Sequence, residues 1–342
     1  MNDKSKHQVV DTPQDSSFLP TLAVMVWLGW YGGAPLLLIS AILSSNVYYK
    51  TFVFGALLLS LMLPRNFPQK YGVRIGYWMA KHGRSYFGLK TIVEDVDAIE
   101  KYAHYEHSGD DKHKEKGKAV IFACEPHDIL PYSVFAFNPS LNVLPGKVGE
   151  TGCALMTGAA FKVPFMRQVF SWIGGDGVDK KTFRYRLKHG LSVAFCPGGV
   201  QEVLNIDPSK PDELILFLKK RKGFVKLALE QGCPIVPVFS FNLDGSFGYF
   251  LPRGKIVAWI SRTIGFLPIL FWGRFYIPFG IPFPQKISVV MGKPIDIPKV
   301  DTKDIPAEIV DKYHSLYINE LIALFERHKV EEGYGDKTLK II

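Results

Sequence analysis

The tetrapeptide Glu125-Pro126-His127-Asp128 places a histidine between carboxylates directly after an apolar run, residues 119–124. That run has the composition of a strand buried on both faces of a parallel sheet. The proline favours an extended backbone at Glu125, so we expect the strand to reach the turn. His127 would then lie just past a strand's carboxyl end, where α/β sheets collect ligands. A histidine there can act as a base near neutral pH, although a lone histidine more often serves as a hydrogen-bonding cap.

A second apolar run, residues 191–196, also ends in a turn that could do chemistry. It is followed by Pro197-Gly198-Gly199-Val200-Gln201-Glu202. Adjacent glycines permit a tight turn whose amides can bind an anion, although an ordinary strand-to-helix loop has the same composition. Two such turns predict a shared site in which His127 is the base. Either Glu202 or Asp128 would orient its imidazole, as the third group of a triad does.

Further elements are predicted around these two turns. Two more apolar runs, residues 234–239 and 287–295, read as buried strands, and helical patterns cover residues 222–231 and 308–329. Strands that alternate with helices are typical of a sheet whose strands are mostly parallel. The sequence therefore predicts an α/β domain.

These blocks resemble the type-2 diacylglycerol acyltransferase family, from about residue 65 to the last residue. Animal and fungal members usually have His-Pro-His-Gly at the first block, and plant and algal members have Glu first, as here, but Ser where this chain has Asp128. The resemblance implies a glycerolipid-acyltransferase-like α/β domain that transfers an acyl group from acyl-CoA to diacylglycerol without a metal or bound cofactor. It is carried by Glu125-Pro126-His127, Phe161-Lys162-Val163-Pro164-Phe165, Pro197 to Glu202, Arg221-Lys222-Gly223-Phe224-Val225 and Phe325-Glu326-Arg327-His328-Lys329.

The reaction implied by this resemblance assigns a role to each turn. His127 would remove the proton of the acceptor hydroxyl, because an unactivated alcohol is a poor nucleophile. Amides at Gly198 and Gly199 would stabilise the oxyanion, a contribution of about 3–4 kcal/mol in comparable sites. Glu125 and Pro126 are assigned to substrate binding. The acceptor is left open between diacylglycerol, monoacylglycerol and a long-chain alcohol, and a non-catalytic lipid-droplet or membrane-binding protein is the alternative of another class.

The formal net charge of +9 is concentrated in two basic patches, at residues 180–188 and 219–222. Such patches suit the phosphates of coenzyme A or anionic lipid headgroups, and a solvated helix face is the simpler alternative. No nucleic-acid partner is predicted, and an oligomer is left open. The substrate-binding candidates in these patches are Lys180, Lys181, Arg184, Lys220 and Arg221.

The apolar residues near the start predict a membrane hairpin. Residues 22–43 form a 22-residue stretch without charge, about 33 Å as a helix, and residues 51–64 span only about 20 Å. Gly32, Gly33 and Pro35 are expected to bend the first arm. We predict a polar tail (1–20), a hairpin that spans or re-enters (21–64) and an acyltransferase domain (65–342). The basic residues after the hairpin place that domain in the cytosol, on the endoplasmic reticulum membrane or a lipid droplet.

Two further segments have weaker patterns. Residues 256–272 are apolar but interrupted, which favours an interfacial or substrate-tunnel segment over a span. His104, His107 and His113 lie in a charged stretch without carboxylate or cysteine partners at metal-ligand spacing, so an exposed loop is predicted there rather than a metal site.

Overall fold

The computed structural model describes residues 7–102, 118–206, 209–252, 269–300 and 304–342, with isolated positions 254, 256, 259 and 263. The three histidines of the charged stretch and most of residues 256–268 lie outside this part. The described strands are β1 (Gln8–Asp11), β2 (Lys90–Val93), β3 (Ile121–Glu125), β4 (Ala154–Met156), β5 (Gly175–Gly177), β6 (Val193–Phe195), β7 (Glu213–Leu216), β8 (Ile235–Phe241), β9 (Gly248–Phe250), β10 (Leu270–Trp272), β11 (Ser288–Met291) and β12 (Thr338–Ile341).

Helices cover both faces of the sheet. The described α-helices are α1 (Phe18–Leu28), α2 (Trp30–Leu43), α3 (Val47–Met62), α4 (Gln69–Tyr86), α5 (Val96–Glu100), α6 (Gly146–Glu150), α7 (Met166–Trp172), α8 (Lys180–Lys188), α9 (Gln201–Asn205), α10 (Gly223–Gln231) and α11 (Ala307–His328). Short 3₁₀ helices lie at Tyr132–Phe137, Pro139–Leu141, Gly158–Lys162 and Arg274–Tyr276.

Eight strands form one sheet in the order β1-β2-β11-β8-β3-β6-β4-β5. The block from β8 to β5 is parallel throughout, β11 runs antiparallel to β8, and β1 runs antiparallel to β2. This confirms the predicted α/β fold with a mostly parallel sheet. Successive residues of β3 alternate between two cores, because side chains of a strand point to opposite faces: Phe122 packs with α1 and α4, and Ile121 packs with α10 and α11.

The four predicted strands are confirmed with small shifts at their ends. The run at residues 119–124 becomes β3 and extends to Glu125, as the proline predicted, and the other three runs contain β6, β8 and β11. Both predicted helices are also present, as α10 and α11. Long apolar runs and a period of 3.6 residues are strong signals, so their agreement with the structure is expected.

The N-terminal region differs from the prediction. The apolar stretch breaks at Gly29, before the glycines and proline expected to bend it, into α1 and α2 at an angle of 66°. Helix α1 is buried in the core against α4, where Trp27 is 4% exposed and packs edge-on to Phe87 and Phe135. Strand β1, within the predicted polar tail, pairs with β2 at the edge of the sheet. The division at residues 20 and 64 therefore separates elements that the structure packs together.

Helices α2 and α3 form an apolar hairpin that leaves the domain and returns to it. Asn46 caps the start of α3 by accepting the Tyr49 backbone N–H at 3.0 Å. At the other end, the Ser60 hydroxyl donates to Gln168 at 3.0 Å and accepts the Phe165 N–H at 2.6 Å, which fixes α3 to α7. Among the described helices, none alone is long and apolar enough to cross a bilayer, whereas α1 and α2 together meet that criterion across their bend.

Candidate active site

The two predicted turns meet at one edge of the sheet. Strands β3 and β6 are parallel neighbours, with Ala123 opposite Phe195, so their carboxyl ends lie side by side. The turn after β3 carries His127, and the turn after β6 carries Gly198, Gly199 and, at the start of α9, Glu202. The structure thus brings together residues separated by about seventy positions in the sequence, as predicted.

Two buried carboxyl groups join these turns. Glu202 accepts the backbone N–H of His127 at 2.7 Å with one oxygen and the N–H of Phe217 at 3.1 Å with the other. Glu125 accepts the N–H of Gly198 at 2.7 Å. Each turn therefore holds the backbone of the other. This corrects the role expected of Glu202, which binds the main chain of His127 and is already fully engaged there.

The imidazole of His127 is oriented by a carbonyl. Its Nδ1 lies 2.7 Å from the backbone oxygen of Asp128. A carbonyl oxygen only accepts, so Nδ1 carries the proton and Nε2 keeps its lone pair. Burial lowers the pKa of His127 to about 4, the Arg221 cation acts in the same direction, and the bond to Asp128 opposes it. The ring is therefore neutral at pH 7 and has a free base nitrogen.

Asp128 serves the histidine through its main chain. Its φ is 47°, in the left-handed region that favours glycine and that aspartate tolerates better than most residues. This conformation accounts for the glycine usual here in the animal and fungal motif. Burial raises the pKa of the Asp128 carboxyl to about 7, and the nearby Asp244 adds to the shift. In the described structure, neither Asp128 nor Glu202 bonds the imidazole through its carboxylate, which corrects both alternatives.

Glu125 and Glu202 form a coupled carboxyl pair. Both are buried, with exposures of 0% and 2%. Burial raises the pKa of Glu125 well above its usual range, and the Glu202 charge raises it further. Burial also raises the pKa of Glu202, to about 7, while the N–H of His127 opposes the shift. Since Glu202 uses both oxygens as acceptors, we place the proton retained at neutral pH on Glu125.

The two glycines have different roles. The N–H of Gly198 is bonded to Glu125, so it is committed to the fold rather than to an oxyanion as predicted. A Cβ at Gly198 would lie 1.9 Å from a Glu202 oxygen, which explains the need for glycine. Gly199 has a φ of +61°, also accessible to glycine, and it lines a cavity. Its amide is the remaining oxyanion candidate of the pair.

That cavity is mostly apolar, has a volume of about 410 Å³ and is lined in part by His127. Its walls include Trp27 and Tyr31 from the N-terminal helices and Phe135 beside the sheet. An apolar cavity with a few convergent polar groups is the usual form of a small-molecule site. Glu125, Pro126 and Gly198 are not among its described lining residues, and the Glu125 carboxyl and the Gly198 N–H are bonded to each other.

The N-terminal wall of this cavity is the part of the site that the sequence missed. Trp27 and Tyr31 are four positions apart in the sequence, on either side of the break at Gly29, and with Trp30 they form an aromatic cluster within the apolar stretch. That cluster was assigned to a membrane segment. Aromatic residues in an apolar stretch are typical of a membrane segment, but they are equally typical of a helix packed in a protein core. The fold is needed to distinguish these two possibilities.

The basic candidates divide into three groups. Arg221 lines the cavity, donates to the Gly198 carbonyl at 3.1 Å, stacks over Phe217, and has a buried Nε without a partner in the described structure. Arg184 is paired with Glu230 through two bonds of 2.8 and 3.1 Å. Lys180, Lys181 and Lys220 are exposed. Val178, two residues before Lys180, lines the cavity, so this patch begins at its mouth.

Comparison with known proteins identifies the family of this chain. A sequence model described as diacylglycerol acyltransferase matches residues 70–342. Diacylglycerol O-acyltransferase 2 of Dictyostelium discoideum is 37% identical over 62% of this chain and 66% of its own length. Acyl-CoA wax alcohol acyltransferase 1 of Mus musculus is 35% identical over 82% of this chain and 84% of its own.

Among solved structures, a 1-acyl-sn-glycerophosphate acyltransferase from Thermotoga maritima aligns with a TM-score of 0.40 and 14% identity over 90% of this chain and 95% of that one. The family match covers every strand of the sheet except β1, together with both turns and the basic patches. The chain is an acyltransferase that belongs to the diacylglycerol acyltransferase family.

Proposed function

We propose that this protein transfers an acyl group from acyl-CoA to the free hydroxyl of diacylglycerol and so makes triacylglycerol. The observation that carries the proposal is a neutral His127, with its proton held on Nδ1, at the head of an apolar cavity. An apolar cavity suits an acyl chain, and a base at its end suits activation of a hydroxyl. The family match supplies the class of acceptor.

In this mechanism His127 takes the hydroxyl proton on Nε2 while the alkoxide oxygen attacks the thioester carbonyl. The resulting oxyanion lies near the Gly199 amide and Arg221, which lines the same cavity. Collapse of the intermediate forms the ester bond and breaks the carbon–sulfur bond, and the proton passes from His127 to the departing thiolate. This chain's residues supply each step, and acyl-CoA is the co-substrate.

Long-chain alcohols are the second candidate acceptors, because several relatives are named wax alcohol acyltransferases. The test is purified protein in detergent with radiolabelled acyl-CoA and, in parallel, diacylglycerol, monoacylglycerol or hexadecanol. Triacylglycerol as the main product supports the proposal. Wax ester or diacylglycerol as the main product would reassign the acceptor, and incorporation into none of the three would contradict the proposed reaction.

We propose that Lys180 and Lys181 bind the phosphates of coenzyme A at the cavity mouth. Reversing both to glutamate should raise the KM for acyl-CoA by roughly three- to tenfold, with little change in kcat, because exposed ion pairs are individually weak and act on ground-state binding. Acidic residues are tolerated at a helix start, so α8 should still form.

The matched control for this reversal is Lys188→Glu, at the far end of α8 and about 12 Å away by helix geometry. Its KM for acyl-CoA should stay at the wild-type value. Equal effects of the two changes, or no effect of the double reversal at moderate salt, would assign the patch to solvent or to a lipid surface.

The α2–α3 hairpin is our candidate for the membrane anchor. It exposes large apolar side chains, among them Leu43 (78%), Phe52 (74%) and Met62 (74%). Its arms are only about 21 and 24 Å long, which favours a re-entrant hairpin over a full span. We propose attachment to the endoplasmic reticulum membrane, with the catalytic domain in the cytosol. A catalytic domain that resists protease in sealed microsomes without detergent would contradict this topology.

A further inference from the structure

A second apolar groove lies on the other side of the N-terminal helices from the His127 cavity. Its volume is about 340 Å³, and it is lined by α1, α2 and the loop from Arg274 to Ile281. Consecutive residues of the helices face the two spaces: Val26 and Trp30 line the groove, whereas Trp27 and Tyr31 line the cavity. The helices that bend at Gly29 therefore form a common wall.

That wall is completed by aromatic rings. Phe271 lines the cavity, and Phe279 lines the groove. Their ring centroids are 5.2 Å apart in an edge-to-face arrangement, and the Phe279 N–H donates to the Phe271 carbonyl at 2.7 Å. Tyr31 packs on Phe271 from the cavity side, with centroids 6.3 Å apart. One aromatic contact thus separates the groove from the space that contains the catalytic histidine.

The rim of the groove is apolar and open. Leu36 and Met25 are 57% and 48% exposed, and Phe275 and Ile277 across from them are 57% and 47% exposed. Leu36 lies on α2, so this rim continues onto the outward face of the α2–α3 hairpin. Exposed apolar surface of this kind marks a site for lipid or for a partner.

The groove contains one charged side chain, and groups of the protein itself engage it. Arg274 is the one charged residue among its described lining residues. Its guanidinium donates from Nη1 to the Ser16 carbonyl at 3.0 Å and the Thr21 hydroxyl at 2.8 Å, and it lies over the Tyr86 and Phe275 rings. It is thus held by the protein's own groups. The other described lining residues are apolar side chains or glycines, so the groove fits a hydrocarbon chain.

We infer that this groove binds an acyl chain of the neutral-lipid acceptor and delivers its hydroxyl to His127 past Phe271 and Phe279. The inference rests on the proposed function and adds a separate entrance for each substrate. Acyl-CoA uses the cavity mouth beside Lys180, and the acceptor enters from the bilayer side beside Leu36. Two substrates of different solubility then reach one base from opposite directions.

The test fills the groove without touching the cavity. Leu36→Trp and Ile277→Trp both place a larger side chain at an exposed lining position, so neither should disturb folding. We expect the KM for long-chain diacylglycerol to rise roughly tenfold, as for other losses of fit in an apolar pocket, while the KM for acyl-CoA stays unchanged. Ile42→Trp, also on α2 and 59% exposed but outside the groove, is the matched control and should behave like wild type.

An equal rise in both KM values, or an unchanged KM for diacylglycerol, would overturn the inference. A photoreactive diacylglycerol separates this result from failure of the proposed function, because labelling needs no turnover. Labelling of residues 25–36 and 274–281 that Leu36→Trp reduces supports the groove, even for a protein with a different acceptor in the activity assay. Labelling that Leu36→Trp leaves unchanged would overturn it.

Discussion

Replacing His127 by alanine is expected to lower triacylglycerol synthesis by about 10²–10⁴-fold, the usual contribution of a general base. His127 is the one histidine among the described residues that line the cavity, and its neutral ring with the proton on Nδ1 can take a hydroxyl proton through Nε2. His127→Gln is the sharper change, because the amide can still donate to the Asp128 carbonyl but has no titratable nitrogen. Initial rates with purified enzyme provide the measurement.

The matched control is His314→Gln. His314 is buried and, like His127, has a ring nitrogen close to a backbone carbonyl, that of Leu218 at 3.0 Å, but it is not among the described residues that line the cavity. This variant should retain activity. High activity in His127→Gln would show that the histidine only caps its turn. Because the pKa of His127 is lowered to about 4, protonation of its ring should reduce wild-type kcat/KM as the pH falls towards 4, where the ring becomes charged and loses its basic lone pair.

Substitution by glutamine should reduce activity strongly at Glu202 but only slightly at Glu125. Glu202 accepts two backbone N–H groups, and glutamine has one acceptor oxygen, so Glu202→Gln leaves one donor facing an NH₂ group. An unsatisfied buried donor costs about 1–3 kcal/mol, and displacement of the His127 backbone should reduce kcat by roughly 10²-fold. Glu125 carries the shared proton, so Glu125→Gln resembles the native state and should keep most of the activity.

The pH dependence of stability provides a second measurement of this pair. Both folded-state pKa values are raised above those of the unfolded chain. At pH values above about 4.5 the native state therefore holds more protons on this pair than the unfolded chain does. The pair's contribution to the free energy of unfolding is therefore present at low pH and declines as the pH rises through 7 and beyond. Glu125→Gln should reduce that decline.

Retained activity in Glu202→Gln together with lost activity in Asp128→Ser would instead make the Asp128 carboxylate the group that orients the histidine.

The sequence predicted the site well where a candidate catalytic residue directly follows a recognisable strand. Apolar runs that end in His127 and in the glycine pair predicted two adjacent strand ends, because parallel strands carry their carboxyl ends to one edge. Arg221 could be named as a substrate-binding residue for a different reason, because it lies in the basic patch at residues 219–222. These features depend on local composition and on the general geometry of parallel sheets.

The hydrogen bonds within the site could not be predicted in the same way. Which oxygen of Glu202 meets which N–H depends on ångström-scale placement of two turns about seventy residues apart. The role of the Asp128 carbonyl follows from a φ of 47° that its side chain does not encode. The break at Gly29 was also missed, because an apolar helix destined for a protein core and one destined for a bilayer have the same composition.

The packing of α1 beneath the sheet has a practical consequence for making this enzyme in quantity. Cutting away the apolar N-terminal segment is a common way to obtain a water-soluble form of a membrane enzyme. Here that cut would remove Trp27 and Tyr31 together with the edge strand β1, and so open the acyl cavity to water. A soluble form would keep α1 intact and exchange for polar ones only those exposed side chains of α2 and α3 that do not line the groove, such as Leu43, Phe52 and Met62.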